Sequence, residues 1–478
     1  MITLEDVSYR YQRGGRDAVS GISLSVSPGE CLMITGPSGA GKTTLCMAAS
    51  GILEHEFGGE KRGRVTILGK DVREYPGLPE IASHVSVVFD DPEAQLIFTT
   101  VEEEILSALE RSGLSPAEIG QRLASILEIT RLAALKDRPP HALSGGQKQR
   151  VALAAALALG TDILILDEPT AELDEEGTAS IVSVLRDLKA QGKTILLTEH
   201  KYSHFRDLVD RLAVMEGGRF RAIGTPCELI TDRSVAEIVI PDFSGIRSSF
   251  PCRPHEGENP VISVRDLGFL YGDVPALAGV SLDVYPGEFV AIVGENGSGK
   301  TTLIKHFIGL LHATRGSVTV DGKDAKVTPV SELAHSVGLV FQNPDHMFFA
   351  DTVAGEVMFG ITNLGIPEPE AVLGEVLSRC RLSGARDLYP RWLSRGERQR
   401  LAIACVLAMQ PKVIVLDEPT TGLDGKESRE VMEILRQLQA EGRAIVMVTH
   451  NHEMARECAD RVVTMRAGRI VSDTRNGA

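Results

Sequence analysis

The chain has 478 residues, 43% hydrophobic and 24% charged, the make-up of a globular protein with room for two or more cored domains. Its 50 basic and 65 acidic residues leave a formal net charge of −15, which argues against a polyanionic partner such as nucleic acid. Seven cysteines (Cys31, Cys46, Cys227, Cys252, Cys380, Cys405 and Cys458) are scattered, odd in number and form no C-x-x-C pair. They exclude a disulfide framework or zinc site and are expected to be buried thiols in a reducing cytosol. Met1-Ile-Thr-Leu-Glu-Asp6 reads as a strand start rather than a signal peptide. The longest strongly apolar stretch, Val151–Leu159, is far too short to span a bilayer. The expectation is a cytosolic chain whose membrane role, if any, is peripheral.

In chain order, the first strand-like segment is Val7-Ser-Tyr-Arg-Tyr11, and a Ser27-Pro-Gly-Glu30 turn follows. The apolar run Cys31–Thr35 predicts a buried strand. It feeds Gly36-Pro37-Ser38-Gly39-Ala40-Gly41-Lys42-Thr43, which fits G-x-x-x-x-G-K-[ST], with Thr44 next and a helix-like stretch after it. Such a loop turns backbone N–H groups around the phosphates of a nucleotide. Its lysine reaches the outer phosphates and its threonine hydroxyl holds Mg²⁺.

Further on, Leu143-Ser144-Gly145-Gly146-Gln147 opens an Ala/Leu-rich helix, and Ser144 with Gln147 has capping-box spacing. Capping alone explains the serine. Two adjacent glycines just inside a helix are costly, which favours a helix end that offers bare N–H groups to a phosphate. Ile163-Leu-Ile-Leu166 then predicts a buried strand that delivers Asp167 and Glu168 at its C-terminal end. The first acid suits a Mg²⁺ site and the second suits an attacking water. His200 closes the series at another strand end.

The series then recurs in the same order. Tyr271 echoes Tyr11. Phe289–Val293 leads into Gly294-Glu295-Asn296-Gly297-Ser298-Gly299-Lys300-Thr301, followed by Thr302. Ser394, Gly396 and Glu397 echo the helix opening, Asp417 and Glu418 the paired acids, and His450 the histidine. One acidic pair alone would fit a solvated turn equally well, but two pairs, each downstream of a phosphate loop, do not. The chain is therefore a two-domain duplication. Residues 243–260 are rich in Ser, Gly and Pro and predict a linker between halves 1–242 and 261–478. Within each half, short strand runs alternate with helical segments, as in an α/β fold with a largely parallel sheet.

This ordered set resembles the ATP-binding-cassette (ABC) ATPases over nearly all of the chain. The resemblance implies two P-loop nucleotide-binding domains, each with a helical subdomain, and ATP and Mg²⁺ as cofactors. It implies that Glu168 and Glu418 are catalytic bases, that His200 and His450 sense the γ-phosphate, and that Tyr11 and Tyr271 stack on adenine. Thr43 and Asp167 in one half, and Thr301, Gln342 and Asp417 in the other, would hold the metal. The two cassettes would pair head to tail within one chain, the Ser144–Gly146 signature facing the Lys300 loop and the Ser394–Gly396 signature facing the Lys42 loop.

The segments Val88-Phe-Asp-Asp-Pro-Glu-Ala-Gln and Val340-Phe-Gln-Asn-Pro-Asp-His-Met resemble the ATPases of energy-coupling-factor importers of vitamins and metal ions. That likeness implies membrane-embedded partners, a scaffold and a substrate-binding component, and a place on the cytoplasmic membrane face. Leu96-Ile-Phe98 and Met347-Phe-Phe349 fit a partner-binding groove and ordinary core equally well. A tandem sugar-importer ATPase and a ribosome-associated tandem ATPase are the alternatives. Two departures from the family pattern stand out. Asp90 occupies the place of the glutamine found at Gln342, and the second signature carries Arg395 and Glu397 in place of glycine and glutamine.

Overall fold

The computed structural model describes residues 1–12, 16–110, 113–171, 173, 175–232, 235–236, 238, 243, 246 and 259–475. It divides into two compact units, Met1–Pro241 and Asp242–Ala478. Of the linker expected over 243–260, all but Phe243, Ile246, Asn259 and Pro260 lies outside the described residues. Phe243 and Ile246 are buried in the core of the second unit.

Among the described residues the first unit has ten strands: β1 (Ile2–Tyr11), β2 (Val19–Val26), β3 (Cys31–Thr35), β4 (Gly59–Ile67), β5 (Lys70–Asp71), β6 (Val85–Val88), β7 (Ile163–Asp167), β8 (Thr194–Thr198), β9 (Arg211–Glu216) and β10 (Arg219–Gly224). They form two sheets. The six-stranded sheet runs β10-β9-β3-β8-β7-β6 and is parallel except at β10, as the apolar runs predict. All five residues of β3, of β7 and of β8 are buried, which is why they read as unbroken apolar runs rather than alternations.

The second sheet, β2-β1-β4-β5, is antiparallel and forms a layer apart from the largely parallel sheet expected from the alternating segments. In β1 the core-facing residues are Ile2, Leu4, Val7 and Tyr9, and the alternation slips between Leu4 and Val7. Asp6 occupies that slip at φ 51°, a left-handed residue that bulges the strand.

The second unit repeats the design: β11 (Ile262–Tyr271), β12 (Val274–Val284), β13 (Phe289–Val293), β14 (Arg315–Val320), β15 (Lys323–Asp324), β16 (Val337–Val340), β17 (Val413–Asp417), β18 (Ala444–Thr449), β19 (Arg461–Arg466) and β20 (Arg469–Arg475). Its sheets run β12-β11-β14-β15 and β16-β17-β18-β13-β19-β20, the same neighbours in the same roles. Each unit also carries a helical subdomain. In the first unit, helices Val101–Leu109, Pro116–Ile129 and Gly145–Ala158 close a core of Val101, Ile105, Leu127, Val151 and Ala154. Helices Val353–Asn363, Pro369–Arg379 and Arg395–Ala408 are the counterparts.

Among the described residues no helix is long and apolar enough to cross a membrane. Two of the cysteines expected to be buried are not fully so: Cys227 is exposed, on the short helix Pro226–Thr231, and Cys405 is half-buried, while Cys252 lies outside the described residues. Cys31, Cys380 and Cys458 are buried, and burial pushes their thiols up to about 12, so they behave as apolar side chains.

Candidate nucleotide site in each unit

Each phosphate loop runs from the C-terminal end of a central parallel strand, β3 or β13, into a helix, Lys42–Ala49 or Lys300–Phe307. The last loop glycine is the helix N-cap in both copies, at φ 100°. A Cβ on Gly41 would come within 2.4 Å of the Ala18 carbonyl oxygen, and one on Gly299 within 2.7 Å of Ala276 O. Both the left-handed angle and the close approach therefore require glycine. The lysine at the first helical position bends back over its own loop. Lys42 Nζ donates to Gly36 O at 3.1 Å, and Lys300 Nζ donates to Gly294 O at 2.7 Å and to Glu295 O at 2.9 Å.

Beside the loop, β7 and β17 deliver the paired acids. Thr301 Oγ1 donates to Asp417 Oδ2 at 2.9 Å. In the first unit the Thr198 hydroxyl donates to Asp167 Oδ1 at 2.5 Å, while Asp167 Oδ2 is buried with no hydrogen-bond partner among the described residues. Burial pushes both aspartates up, and at Asp167 the neighbouring Glu168 and Asp90 add to that. A buried carboxylate oxygen without a donor, next to a threonine hydroxyl, fits a hard cation with oxygen ligands. The residues present therefore fit Mg²⁺. Asp90 itself is exposed, yet close enough to act on Asp167.

Glu168 and Glu418 follow at φ 47° and 49°, left-handed angles that a non-glycine residue rarely adopts. The turn aims each carboxylate back at the histidine on the neighbouring strand end. His200 Nε2 lies 2.9 Å from Glu168 Oε1, and Lys42 Nζ lies 3.3 Å from the same oxygen. Burial alone would raise Glu168, but His200 and Lys42 outweigh it and hold the carboxyl at about 2. In the second unit His450 meets Glu418 through Nδ1 at 3.0 Å.

Both signature serines cap their helices with the full reciprocal box. Gln147 N–H donates to Ser144 Oγ, and Glu397 N–H donates to Ser394 Oγ. Their surroundings differ. Ser144 and Gly145 are exposed, whereas Ser394 is half-buried and Gly396 buried. Ser394 Oγ donates to Glu427 Oε1 at 3.4 Å, and a Cβ on Gly396 would meet that carboxyl at 2.3 Å. In the first unit, the backbone of Gly177 takes that position beside Gly146. Arg395 lies against Gly422, with its guanidinium where a Cβ would sit. Glu427 was missed in the sequence, although aligning the two halves sets it opposite Gly177.

Tyr11 is half-buried, its hydroxyl 3.2 Å from Thr44 Oγ1 and its ring edge-on to Tyr9 at 4.8 Å. Tyr271 is half exposed and edge-on to Phe269 at 4.9 Å. Gln342 is exposed just beyond β16.

The second loop helix also carries His306, buried, where Ala48 stands in the first. His306 Nδ1 lies 2.8 Å from the Thr302 carbonyl oxygen it bonds, and Nε2 has no hydrogen-bond partner among the described residues. Burial lowers this imidazole below 6.5. Between its folded value and 6.5, only the unfolded chain takes up the proton. The stability of the second unit is therefore full above 6.5 and falls as the pH drops below it, by at most about 1.4 kcal/mol per pH unit. Thermal melts at pH 7.5 and 5.5 check this, and His306→Ala should flatten the difference.

Two strand–loop–helix phosphate cradles, each beside a strand-end carboxylate pair and a histidine, define a P-loop ATPase fold carried twice. The model of the ABC transporter family matches residues 19–171 and 277–421, spans that contain each loop, each signature and each acidic pair. The chain belongs to that family, whose members bind and hydrolyse ATP. An ABC transporter ATP-binding protein of Methanosarcina acetivorans is 48% identical over all of this chain and 90% of its own length. One of Caldanaerobacter subterraneus subsp. tengcongensis is 38% identical over 98% of this chain and 90% of its own. Among solved structures, the archaeal ribosome recycling factor aABCE1, in complex with ribosomal stalk protein aP1, superposes with a TM-score of 0.65. It covers 98% of this chain and 90% of its own at 20% identity, a likeness of fold alone.

Proposed function

We propose that this chain is the ATP-hydrolysing subunit of a membrane importer of energy-coupling-factor type, held on the cytoplasmic face by membrane-embedded scaffold and substrate-binding subunits. The observation that carries the reading is the pair of apolar surfaces on the segments after Asp90 and Gln342. Ile97 is 82% exposed and Phe98 41%, beside a groove of about 280 Å³ that Leu96 and Ala155 line. Phe349 is 64% exposed and packs edge-on against the exposed Phe359, ring centroids 4.6 Å apart. Leu96, Met347 and Phe348 pack against their own cores instead. Each apolar cluster is thus part core and part open surface, and only the open part is available to a partner.

Within each unit the chemistry follows from the groups in hand. The loop N–H groups and its lysine bind and orient the phosphates, Glu168 or Glu418 accepts a proton from water, and His200 or His450 holds that carboxylate in place. Mg²⁺, held by Thr43 and Asp167 or by Thr301, Gln342 and Asp417, would supply positive charge against the outer phosphates. Tyr11 and Tyr271 would stack on adenine. In this reading the cassettes pair within the chain, and each signature serves the nucleotide of the other unit.

The test is capture of the tagged full chain from detergent-solubilised membranes. Small multi-span membrane proteins should co-purify with it, and Phe349→Asp combined with Phe359→Asp should release them while ATP binding persists. Co-sedimentation with ribosomes and no membrane protein in the eluate would replace the importer reading with the ribosomal one.

A further inference from the structure

Beside the histidine, the two units differ at one buried residue. Glu199 precedes His200 in the first unit, and Thr449 precedes His450 in the second. Glu199 is 3% exposed. Its Oε1 accepts from the Thr170 N–H at 2.8 Å and from the Thr170 hydroxyl at 2.6 Å. Its Oε2 accepts from the His200 backbone N–H at 3.2 Å. One carboxylate therefore ties the turn that follows Glu168 to the strand end that bears His200. In the second unit the His450 N–H donates to Glu418 itself, to Oε2 at 3.3 Å, and the ring reaches the same oxygen through Nδ1. In the first unit the ring reaches Glu168 through the opposite nitrogen, Nε2, and the same Glu168 oxygen lies 3.3 Å from Lys42 Nζ.

We propose that Glu199 is a positioning residue that gates the first phosphate loop. By taking the His200 N–H it keeps Glu168 from the backbone contact that Glu418 makes, and so lets Glu168 rest on Lys42 until a phosphate displaces it. A backbone N–H is a single donor, so the carboxylate that holds it decides where the other one goes. The ring turns with it, because the imidazole nitrogen facing Glu168 depends on where that carboxylate sits. A triphosphate entering the first loop must compete with Glu168 for the lysine. Apparent affinity falls by the fraction of molecules in which the lysine is open. The inference rests on the reading of the Lys42 loop as a nucleotide site, and it adds a resting state set by a residue outside every motif.

The experiment uses the full chain with the second loop silenced by Lys300→Ala, titrated with a fluorescent ATP analogue. If the lysine is open in about one molecule in ten, Glu199→Thr tightens binding about five- to tenfold. Glu199→Gln should act the same way, since its amide can keep the Thr170 contact but turns an NH₂ toward the His200 N–H. Glu168→Gln should tighten binding by itself, and Glu199→Thr added to it should change nothing, because both act through one contact. The reverse exchange, Thr449→Glu in a chain carrying Lys42→Ala, should loosen binding at the second loop. Unchanged affinity in both Glu199 variants overturns the proposal. A gain from Glu199→Thr that persists on top of Glu168→Gln overturns it in favour of simple charge repulsion. Lys42→Ala beside Lys300→Ala should abolish binding, and retained binding there would sink the nucleotide-site reading itself, and the gate with it.

Discussion

Glu418→Gln is expected to lower ATP hydrolysis by the full chain roughly 10²–10⁴-fold, the usual loss when a positioned general base is removed, while Glu168→Gln leaves a larger share of the rate. Glu418 is buried at the end of β17, turned back by its left-handed backbone and held by His450 through ring and backbone. Its unit carries Gln342, and in the proposed pairing its loop faces the open signature at Ser144. Glu168 starts from a poorer position. Before it can serve as base a phosphate must displace it from Lys42, and the carboxylate Asp90 stands where the other unit has a glutamine. The signature proposed to face the Lys42 loop is half-covered, with Glu427 on its serine. Phosphate release by both single variants and by the double variant is the measurement. Equal losses in the two single variants would remove the asymmetry.

The largest stability effect is expected at Arg436. This guanidinium is fully buried in the helix Gly425–Ala440, 2.9 Å from Asp460 Oδ1, and it also bonds Gln439. Asp460 Oδ2 in turn accepts the Phe289 N–H at 3.0 Å and so pins the start of β13, the strand that leads into the phosphate loop. Arg436→Ala strands the carboxylate inside the protein and should cost about 3–5 kcal/mol, because a buried charge that loses its partner keeps its full desolvation penalty. The first unit offers the control. There Asp210 makes the matching bond to the Cys31 N–H at 2.9 Å, but its cation is Lys189, which is a quarter exposed. Solvent screens that pair, and Lys189→Ala should cost no more than about 1 kcal/mol. Denaturant unfolding of the two variants separates these values. An Arg436→Ala shift no larger than that of Lys189→Ala would mean the buried pair contributes nothing of its own.

What could be read in the sequence was whatever depends on local chemistry. The glycines of each loop announce angles that other residues avoid. The unbroken apolar runs of β3, β7, β13 and β17 announce strands covered on both faces, with the charged groups at their C-terminal ends. The serines of the two capping boxes fixed two helix starts to the residue. The repetition of the whole series gave two units of one fold. The antiparallel sheets were not legible as separate layers, because alternation within β1 is interrupted at Asp6 and says nothing of which strand lies alongside.

The sequence by itself therefore determined the fold class, the doubling and the residues that line each phosphate loop, since these follow from backbone freedom and from which side chains water excludes. Only the tertiary structure decided how similar motifs come to differ. Lys42 resting on Glu168, Glu199 taking a backbone N–H from His200, Glu427 covering Ser394 and Arg436 buried against Asp460 all join residues from different elements. The strength of each contact depends on how much water packing leaves beside it, and that is a property of the assembled layers rather than of any stretch of chain.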